Sequence, residues 1–357
     1  MKSILVRAII EGSGIVNFDS NDQRWLWNRQ KNVEIVRHNN VSFGKGRYYE
    51  FADAEGNLYL KKNAIISADC IRHAMFENNM PVHLPNIMHD DMLLIKAVAS
   101  PAFLERGYLF ARDGKTTWKR TSPFKITYAK AVEQSETALE TFANSQSRER
   151  IDKSEESSET SFFKREVRGD MKYEVFGVIN TSELSFIPIS DIHDRFSFDP
   201  DYVSVFRSIL SEHLGSEVPE PLFFIKKGNC YEIPEYGIML TEDQTKQLAL
   251  DILKRLARFN LQRTVTGYAR ATSVQIKFVK DPLEDTFEDD AGWISVYNSN
   301  NKFNSGVLDS VNFDNFYDVV NDLTEAKTKC DEYRKKFGFI KEKKAKGKKS
   351  VKEDGKD

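Results

Sequence analysis

The densest gathering of chemically capable side chains lies in residues 106–123. It holds the cations Arg106, Arg112, Lys115, Lys119 and Arg120, the aromatics Tyr108 and Trp118, and the hydroxyls of Thr116, Thr117, Thr121 and Ser122. These parts suit a phosphodiester backbone. Cations neutralise its charge, hydroxyls and backbone N–H groups donate to its oxygens, and aromatic rings stack on bases. A solvated surface hairpin accounts for the same residues. Aliphatic content is low, so the segment is expected to lie mainly outside the core.

Other constellations are weaker. Cys70 and His73, three apart, make half a metal site with no second half nearby. His83, His89, Asp90 and Asp91 match no ligand spacing. No metal or cofactor is expected. Gly12-Ser13-Gly14 lacks the remaining glycine and the Lys-Ser/Thr of a nucleotide loop, and neither Gly-x-Ser-x-Gly nor His-Glu-x-x-His occurs. The many carboxylates sit in polar surroundings, without the apolar setting that tunes a catalytic pKa. The residues therefore point to binding rather than catalysis.

The elements that position these groups can be read from pattern. Residues 106–123 read as strand, Asp113-Gly114 turn, strand. Residues 67–78 read as a helix, with Ser67 as N-cap and Ile71, Met75 and Phe76 on one face, leaving Arg72 and His73 off or at its edge. Residues 91–104 read as a second helix. Residues 3–10 are β-prone, and 17–62 form a loop-rich insertion, basic and aromatic, with a hairpin near 48–60. Residues 130–159 are polar and are expected to be mobile or an isolated helix. Residues 160–180 read as a hairpin turned at Gly169-Asp170, its first arm carrying Lys164, Arg165 and Arg168. Strands follow at 124–128, 182–189, 222–225 and 273–279. A helix begins at Asp199-Pro200 and another at the capping box Thr241–Gln244. Residues 281–340 make an acidic loop and a C-terminal helical segment (313–337), and 341–357 a disordered charged tail.

Composition sets limits. The chain has 357 residues, 30% of them charged, and a net charge of −2, so any basic groove must be local. Acid concentrates in 133–159 and 281–290. Three distant cysteines argue against a disulfide framework and for a reducing cytoplasm. No apolar run is long enough to span a membrane, and the start is too soon broken by Arg7 for a signal peptide.

Several fragments, in one order, resemble a known family. Cys70-Ile71-Arg72-His73, Arg106-Gly107-Tyr108, Lys119-Arg120-Thr121-Ser122-Pro123 and Thr160-Ser161-Phe162-Phe163 are followed by Gly177-Val178-Ile179, Leu184-Ser185-Phe186-Ile187, Gly237-Ile238-Met239-Leu240, Arg255-Leu256-Ala257 and Gly267-Tyr268. Together they resemble the backbone subunit of the variant type I-F CRISPR surveillance complex, the Cas-seven family of Cascade, over residues 1–280. The stretch 134–158 and everything past Phe278 are not covered.

The resemblance implies an α+β fold: a modified RNA-recognition-motif (ferredoxin-like) palm with an inserted β-hairpin thumb and loop-rich insertions. It implies copies that oligomerise along a CRISPR RNA, beside other Cascade subunits, and expose the guide for pairing with invading DNA. Such subunits bind and do not cleave. Residues 160–180 are the candidate thumb. Arg72, Lys119 and Arg120 would neutralise phosphates, with Arg106 and Tyr108 alongside. Thr121, Ser122, Thr160, Ser161 and Lys164 would hold phosphates near the hairpins. Phe162 and Phe163 either wedge between bases or anchor the ribbon in the core. His73 either meets a base or is a structural hydrogen-bonder, and Tyr268 is either a stacking ring or a buried tyrosine. Two alternatives stand beside this: a type III-like subunit cutting target RNA with a loop aspartate (Asp19, Asp22 or Asp53), and a scaffold protein without nucleic acid.

Overall fold

The computed structural model describes residues 3–336 apart from 14, 18–21, 28–31, 38–45, 53–57, 77–89, 112–115, 133–136, 148–157, 169, 191–195, 263–266, 281–290 and 301; along 15–65, 137–168 and at 262 it describes the backbone alone. The chain runs through β1 (Ser3–Ser13), β2 (Ile15–Asn17), β3 (Asp22–Trp27), β4 (Asn32–Arg37), β5 (Gly46–Ala52), β6 (Leu58–Ile66), α1 (Ala68–Phe76), α2 (Asp91–Val98), α3 (Pro101–Arg106), β7 (Tyr108–Phe110), β8 (Trp118–Arg120), β9 (Phe124–Ile126) and β10 (Ala129–Ala131). It continues through β11 (Thr137–Ser147), β12 (Ser158–Arg168), β13 (Met171–Asn180), α4 (Thr181–Ser185), β14 (Phe186–Pro188), α5 (Val203–Leu214), β15 (Leu222–Lys226), β16 (Glu235–Met239), α6 (Glu242–Ala257), β17 (Asn260–Gln262), β18 (Tyr268–Val279), β19 (Ile294–Asn298), β20 (Tyr317–Val319) and α7 (Leu323–Lys336).

The β-branched run in β1 seeds the main sheet. β1 lies between β13 and β18, antiparallel to both, in the order β17-β18-β1-β13-β10-β6-β5, with β19 on β18 and β9 on β13. Alternation along β1 sends Ile4, Val6, Ala8 and Ile10 into the core, where they join Tyr173, Val175, Val274 and Ile276. The helices close this core with Ile71 and Phe76, with Leu94 and Val98, and with Leu248, Ile252 and Leu256. Each such side chain, fully removed from water, contributes about 1.5–3 kcal/mol. Arg7, Ile9 and Glu11 are only half-buried and alternate with this set. A second sheet, β14-β16-β15-β20, packs Phe223 of β15, with Ile233 from the β15–β16 connection, against Cys330 and Tyr333 of α7.

Local chemistry explains the helix ends. Thr241 and Gln244 form the expected capping box at α6. Gly215, at φ 65°, closes α5. The expected single helix over 91–104 is two: Asp90 caps α2 through Met92 N and Leu93 N, and Pro101, which cannot continue a hydrogen-bonded turn, opens α3. The expected strand over 182–189 begins instead as α4, capped by Asn180, and is extended only from Phe186 to Pro188. The expected terminal helix starts later, at Leu323, after the edge strand β20.

Two larger expectations are corrected. Within 130–159 the structure places β11, which pairs along its whole length with β12, from Thr137↔Arg168 to Ser147↔Ser158. A ribbon held by its own backbone ladder needs no apolar stripe, so polar composition hid it. The expected 160–180 hairpin does not form. β12 turns to β11, and β13 enters the main sheet beside β1. The 17–62 insertion is richer in strand than expected, with the hairpins β3–β4 and β5–β6; the second, with Ala52 opposite Leu58, matches the hairpin read near 48–60. The acidic stretch 281–290, the tail 341–357, the turn residues Arg112 and Lys115, and His83, His89, Asp19 and Asp53 lie outside the described residues.

Candidate nucleic-acid interface

Arg72 and Arg106 come together from two different helices. Arg72 projects from the middle of α1, and its Nη2 donates to the Arg106 backbone oxygen at 2.7 Å. The Arg72 Nε is buried, with no hydrogen-bond partner among the described residues. Partial burial and then the neighbouring Arg72 charge both push the Arg106 pKa down, against a smaller upward pull from Asp69. Two guanidinium groups that repel each other in partly desolvated surroundings gain from an added anion. A phosphate oxygen is the natural one, because planar guanidinium groups meet it with two parallel bonds.

Gly107 joins a third segment to this pair. Its φ of 73° favours glycine, and a Cβ there would come within 2.6 Å of Ser122 N and 2.8 Å of the Arg120 oxygen. The backbone of residues 120–122 therefore lies directly against the end of α3. Thr121 and Ser122 are half-buried beside the arginines. The Ser122 hydroxyl donates to the Phe124 oxygen at 2.6 Å. Lys119, one position before the buried Arg120, is half-buried. His73 is exposed on α1, next to Arg72.

Next to Arg106 lies a buried ion pair. Glu105, fully buried, meets Arg255 of α6 at 2.7 Å, and Arg255 lies over the Phe76 ring at 5.4 Å. Burial outweighs the Arg255 charge and raises the Glu105 pKa to about 8.

The expected hairpin of residues 106–123 exists, as Tyr108↔Arg120 to Phe110↔Trp118, but two of its expected contact residues face inward. Arg120 is 5% exposed. Its Nη1 donates to Phe186 O at 2.7 Å, Nη2 to Glu183 O at 2.7 Å, and Nε to Leu104 O at 3.3 Å. Leu104 is in the last turn of α3 and Glu183 is in α4. One guanidinium thus satisfies carbonyls that two short helices leave open. Arg120 is a structural clamp and does not face a phosphate. Tyr108 is likewise buried, its hydroxyl donating to Ser197 O at 3.0 Å and its ring stacked on Phe110; burial raises its pKa. Trp118 is fully buried. Tyr108, Trp118 and Arg120 thus belong to the interior, contrary to the reading from low aliphatic content, because aromatic rings supply the apolar surface, while Leu109, Ala111 and Thr116 stay exposed.

The remaining expected residues gather elsewhere. In β12, Thr160, Ser161, Phe162, Phe163 and Lys164 are the register partners of Ser145, Asn144, Ala143, Phe142 and Thr141. The root of this ribbon pairs with β2, Arg168 opposite Ile15. At the same end of the sheet Ser13 faces Tyr268, which is 44% exposed. α1 packs beside β17, whose Gln262 is the strand partner of Tyr268.

One surface was missed in the sequence. Along the side of the sheet away from Ile4, Val6 and Ala8, Arg7 pairs with Glu174 at 2.5 Å and is the register partner of Phe176. Lys172, Arg270 and Lys130 are exposed on neighbouring strands. The signal was present: Arg7 and Glu11 interrupt an apolar strand at period two. Read alone, Arg7 served only to break an apolar run.

Comparison with known proteins settles the family. Residues 1–284 match the model of the type I-Fv CRISPR-associated Cas7fv-like proteins. The chain belongs to that family. This agrees with the resemblance drawn from residues 1–280 to the Cas7-type backbone subunit of a type I-F variant complex. No curated protein gives a significant match. Similar solved structures include a CRISPR RNA-guided surveillance complex (8% identity, 94% of this chain, 83% of the other, TM-score 0.34). A second is such a complex in a pre-nicking state (8%, 94%, 88%, 0.35), and a third is Thermofilum pendens Csc2 (7%, 78%, 68%, 0.32). Superpositions this loose carry no weight beside the family match. Among the described residues, no helix is long and apolar enough to cross a membrane, and no group of three or more His, Cys, Asp or Glu is placed to hold a metal.

Proposed function

We propose that this Cas7fv-like chain is a non-catalytic subunit that binds CRISPR RNA in the cytoplasm. Copies oligomerise along the guide beside other Cascade subunits and leave it open for pairing with invading DNA. The observation that carries this reading is the Arg72–Arg106 pair, two cations held together with backbone from residues 120–122 against them. Asp69 offsets their mutual repulsion only in part, and a phosphate oxygen would relieve the rest.

The topology supports the same reading. β1, β10, β13 and β18 lie antiparallel in the order β18-β1-β13-β10. Helices α1 to α3 fall between β1 and β10, and α4 to α6 between β13 and β18. This is the fourth-first-third-second order of a ferredoxin-like βαββαβ unit, and we read it as the palm. The β11–β12 ribbon is inserted between its second and third strands and takes the thumb role expected of residues 160–180. The basic and aromatic face around Arg7, Phe176, Arg270 and Tyr268 extends the surface available to a single strand.

The test is retention of RNA. Expressed with its repeat RNA, the chain is expected to purify as an oligomer with a raised ratio of absorbance at 260 to 280 nm. Each phosphate neutralised on a single strand adds about 0.7 to the negative slope of log affinity against log salt. A protein that emerges as an RNA-free monomer sinks the proposal and favours the scaffold reading. Regular cleavage of complementary RNA with Mg²⁺ favours the nuclease reading.

A further inference from the structure

A cavity of about 460 Å³ lies between the second sheet and α7, and neither Arg72 nor Arg106 lines it. Its size is that of a small-molecule site, which spans about 300–1,000 Å³. The strands build its floor. Phe223 of β15 and Tyr236 of β16 are register partners, and their rings lie 5.0 Å apart between centroids, tilted by 44°. Ile189 and Ser190 close one side. Their N–H groups both donate to the Tyr236 oxygen, at 2.8 and 2.9 Å, so backbone bonds fix this wall to the floor.

The helix α7 supplies the charged wall. Lys327, Cys330, Asp331 and Arg334 line the cavity at the i, i+3, i+4, i+7 spacing of one helix face. Cys330 seats that face: it is buried beside Phe223, and its thiol donates to Pro234 O at 3.4 Å. Lys327 and Asp331 are exposed and Arg334 is half-buried. Arg334 Nη1 reaches Asp331 Oδ1 at 3.4 Å, a long contact that a better acceptor can displace. The family match ends at residue 284, so this wall belongs to the part of the chain beyond it.

We infer that this cavity binds a free nucleoside monophosphate. The Phe223 and Tyr236 rings offer a base an aromatic surface, whichever base it is. Lys327 and Arg334, on either side of the Cys330 seat, outnumber Asp331 and give a phosphate its cations, and the arginine adds the planar fork that matches phosphate oxygens. The Asp331 carboxylate accepts from ribose hydroxyls or a base amine. A wholly apolar ligand would leave all three charged groups unused. An extended peptide finds no strand edge to join, because β15 and β16 are both interior strands of the order β14-β16-β15-β20. The site stands apart from the guide-binding reading and does not depend on it.

The experiment uses the full chain, washed free of RNA at high salt, in isothermal titration calorimetry. The probe is AMP, with adenosine and ribose 5-phosphate as its two halves. AMP is expected to bind at least about tenfold more tightly than either half. The variant Lys327→Gln with Arg334→Gln is expected to lose about tenfold for AMP and nothing for adenosine, whose unchanged affinity reports an intact pocket. Lys327→Gln alone, at an exposed position, is expected to lose about threefold, and keeps the test decisive if the double change disturbs α7. No heat from AMP at millimolar concentration overturns the inference, as does equal affinity for benzoate. So does AMP binding that survives the glutamine changes and disappears with Arg72→Ala and Arg106→Ala. That last pair is expected to leave AMP binding unchanged while RNA retention falls, so failure of this site and failure of guide binding read out separately.

Discussion

Arg120→Ala separates a clamp from a phosphate contact. In the native fold three guanidinium nitrogens meet the carbonyls of Leu104, Glu183 and Phe186 at 2.7–3.3 Å in the interior. Truncation leaves those oxygens buried and unpaired, at about 1–3 kcal/mol each. Loss of the buried cation returns part of that, because its own desolvation was costly; burial already lowers the Arg120 pKa. The net is roughly 4 kcal/mol. At about 2 °C per kcal/mol for a chain of this size, the melting midpoint falls by about 8 °C. Arg120→Lys recovers little, since an ammonium cannot span carbonyls from two helices and β14. Thermal unfolding of RNA-free protein, with circular dichroism for content, makes the measurement. A midpoint within 2 °C of the unaltered chain, combined with lost RNA, would refute the clamp and restore Arg120 to the interface.

The paired variant Arg72→Ala with Arg106→Ala is expected to do the reverse: RNA retention drops and its salt slope becomes shallower, while the melting midpoint moves by less than about 3 °C. Gly107→Ala is expected to cost about 3 kcal/mol, from the positive φ and the 2.6 Å approach to Ser122 N, and to weaken RNA retention by pushing residues 120–122 off the arginines; urea titration and the absorbance ratio read the two effects. Tyr108→Phe removes the bond to Ser197 O and is expected to cost about 1 kcal/mol with RNA binding intact. Glu105 has its pKa raised from 4.5 to about 8. Between those values the folded chain holds a proton that the unfolded chain has released, so this group makes stability fall as pH rises from about 4.5 to 8. Glu105→Gln is expected to remove that part of the slope and to be relatively more stable at pH 8; an unchanged pH profile would count against the buried neutral form.

Why Arg120 turns into the interior and Arg72 does not shows where sequence stops speaking. The helical period of Ile71, Met75 and Phe76 places Arg72 at the edge of an apolar face, whereas no periodic signal tells inside from outside at Arg120. The strand 118–120 is too short for alternation to decide its face, with Trp118 and Arg120 both inward and Lys119 between them. What decides is tertiary: α3 and α4 both end against β8, and their open carbonyls need one wide, many-donor side chain. Elements with long apolar periods were legible, as β1, α1, α5 and α6 show. The β11–β12 ribbon was not, because its ladder is a backbone pairing that polar residues make as readily as apolar ones. The site divides along the same line. Arg72 and Arg106 could be named one by one from charge and hydroxyl company. Their meeting is a contact between α1 and α3, 34 residues apart in sequence, and Gly107 sets residues 120–122 against the end of α3. The same turn that follows Arg106 sets residues 120–122 against the end of α3, with Arg120 inside, so the interface and its clamp share one close approach.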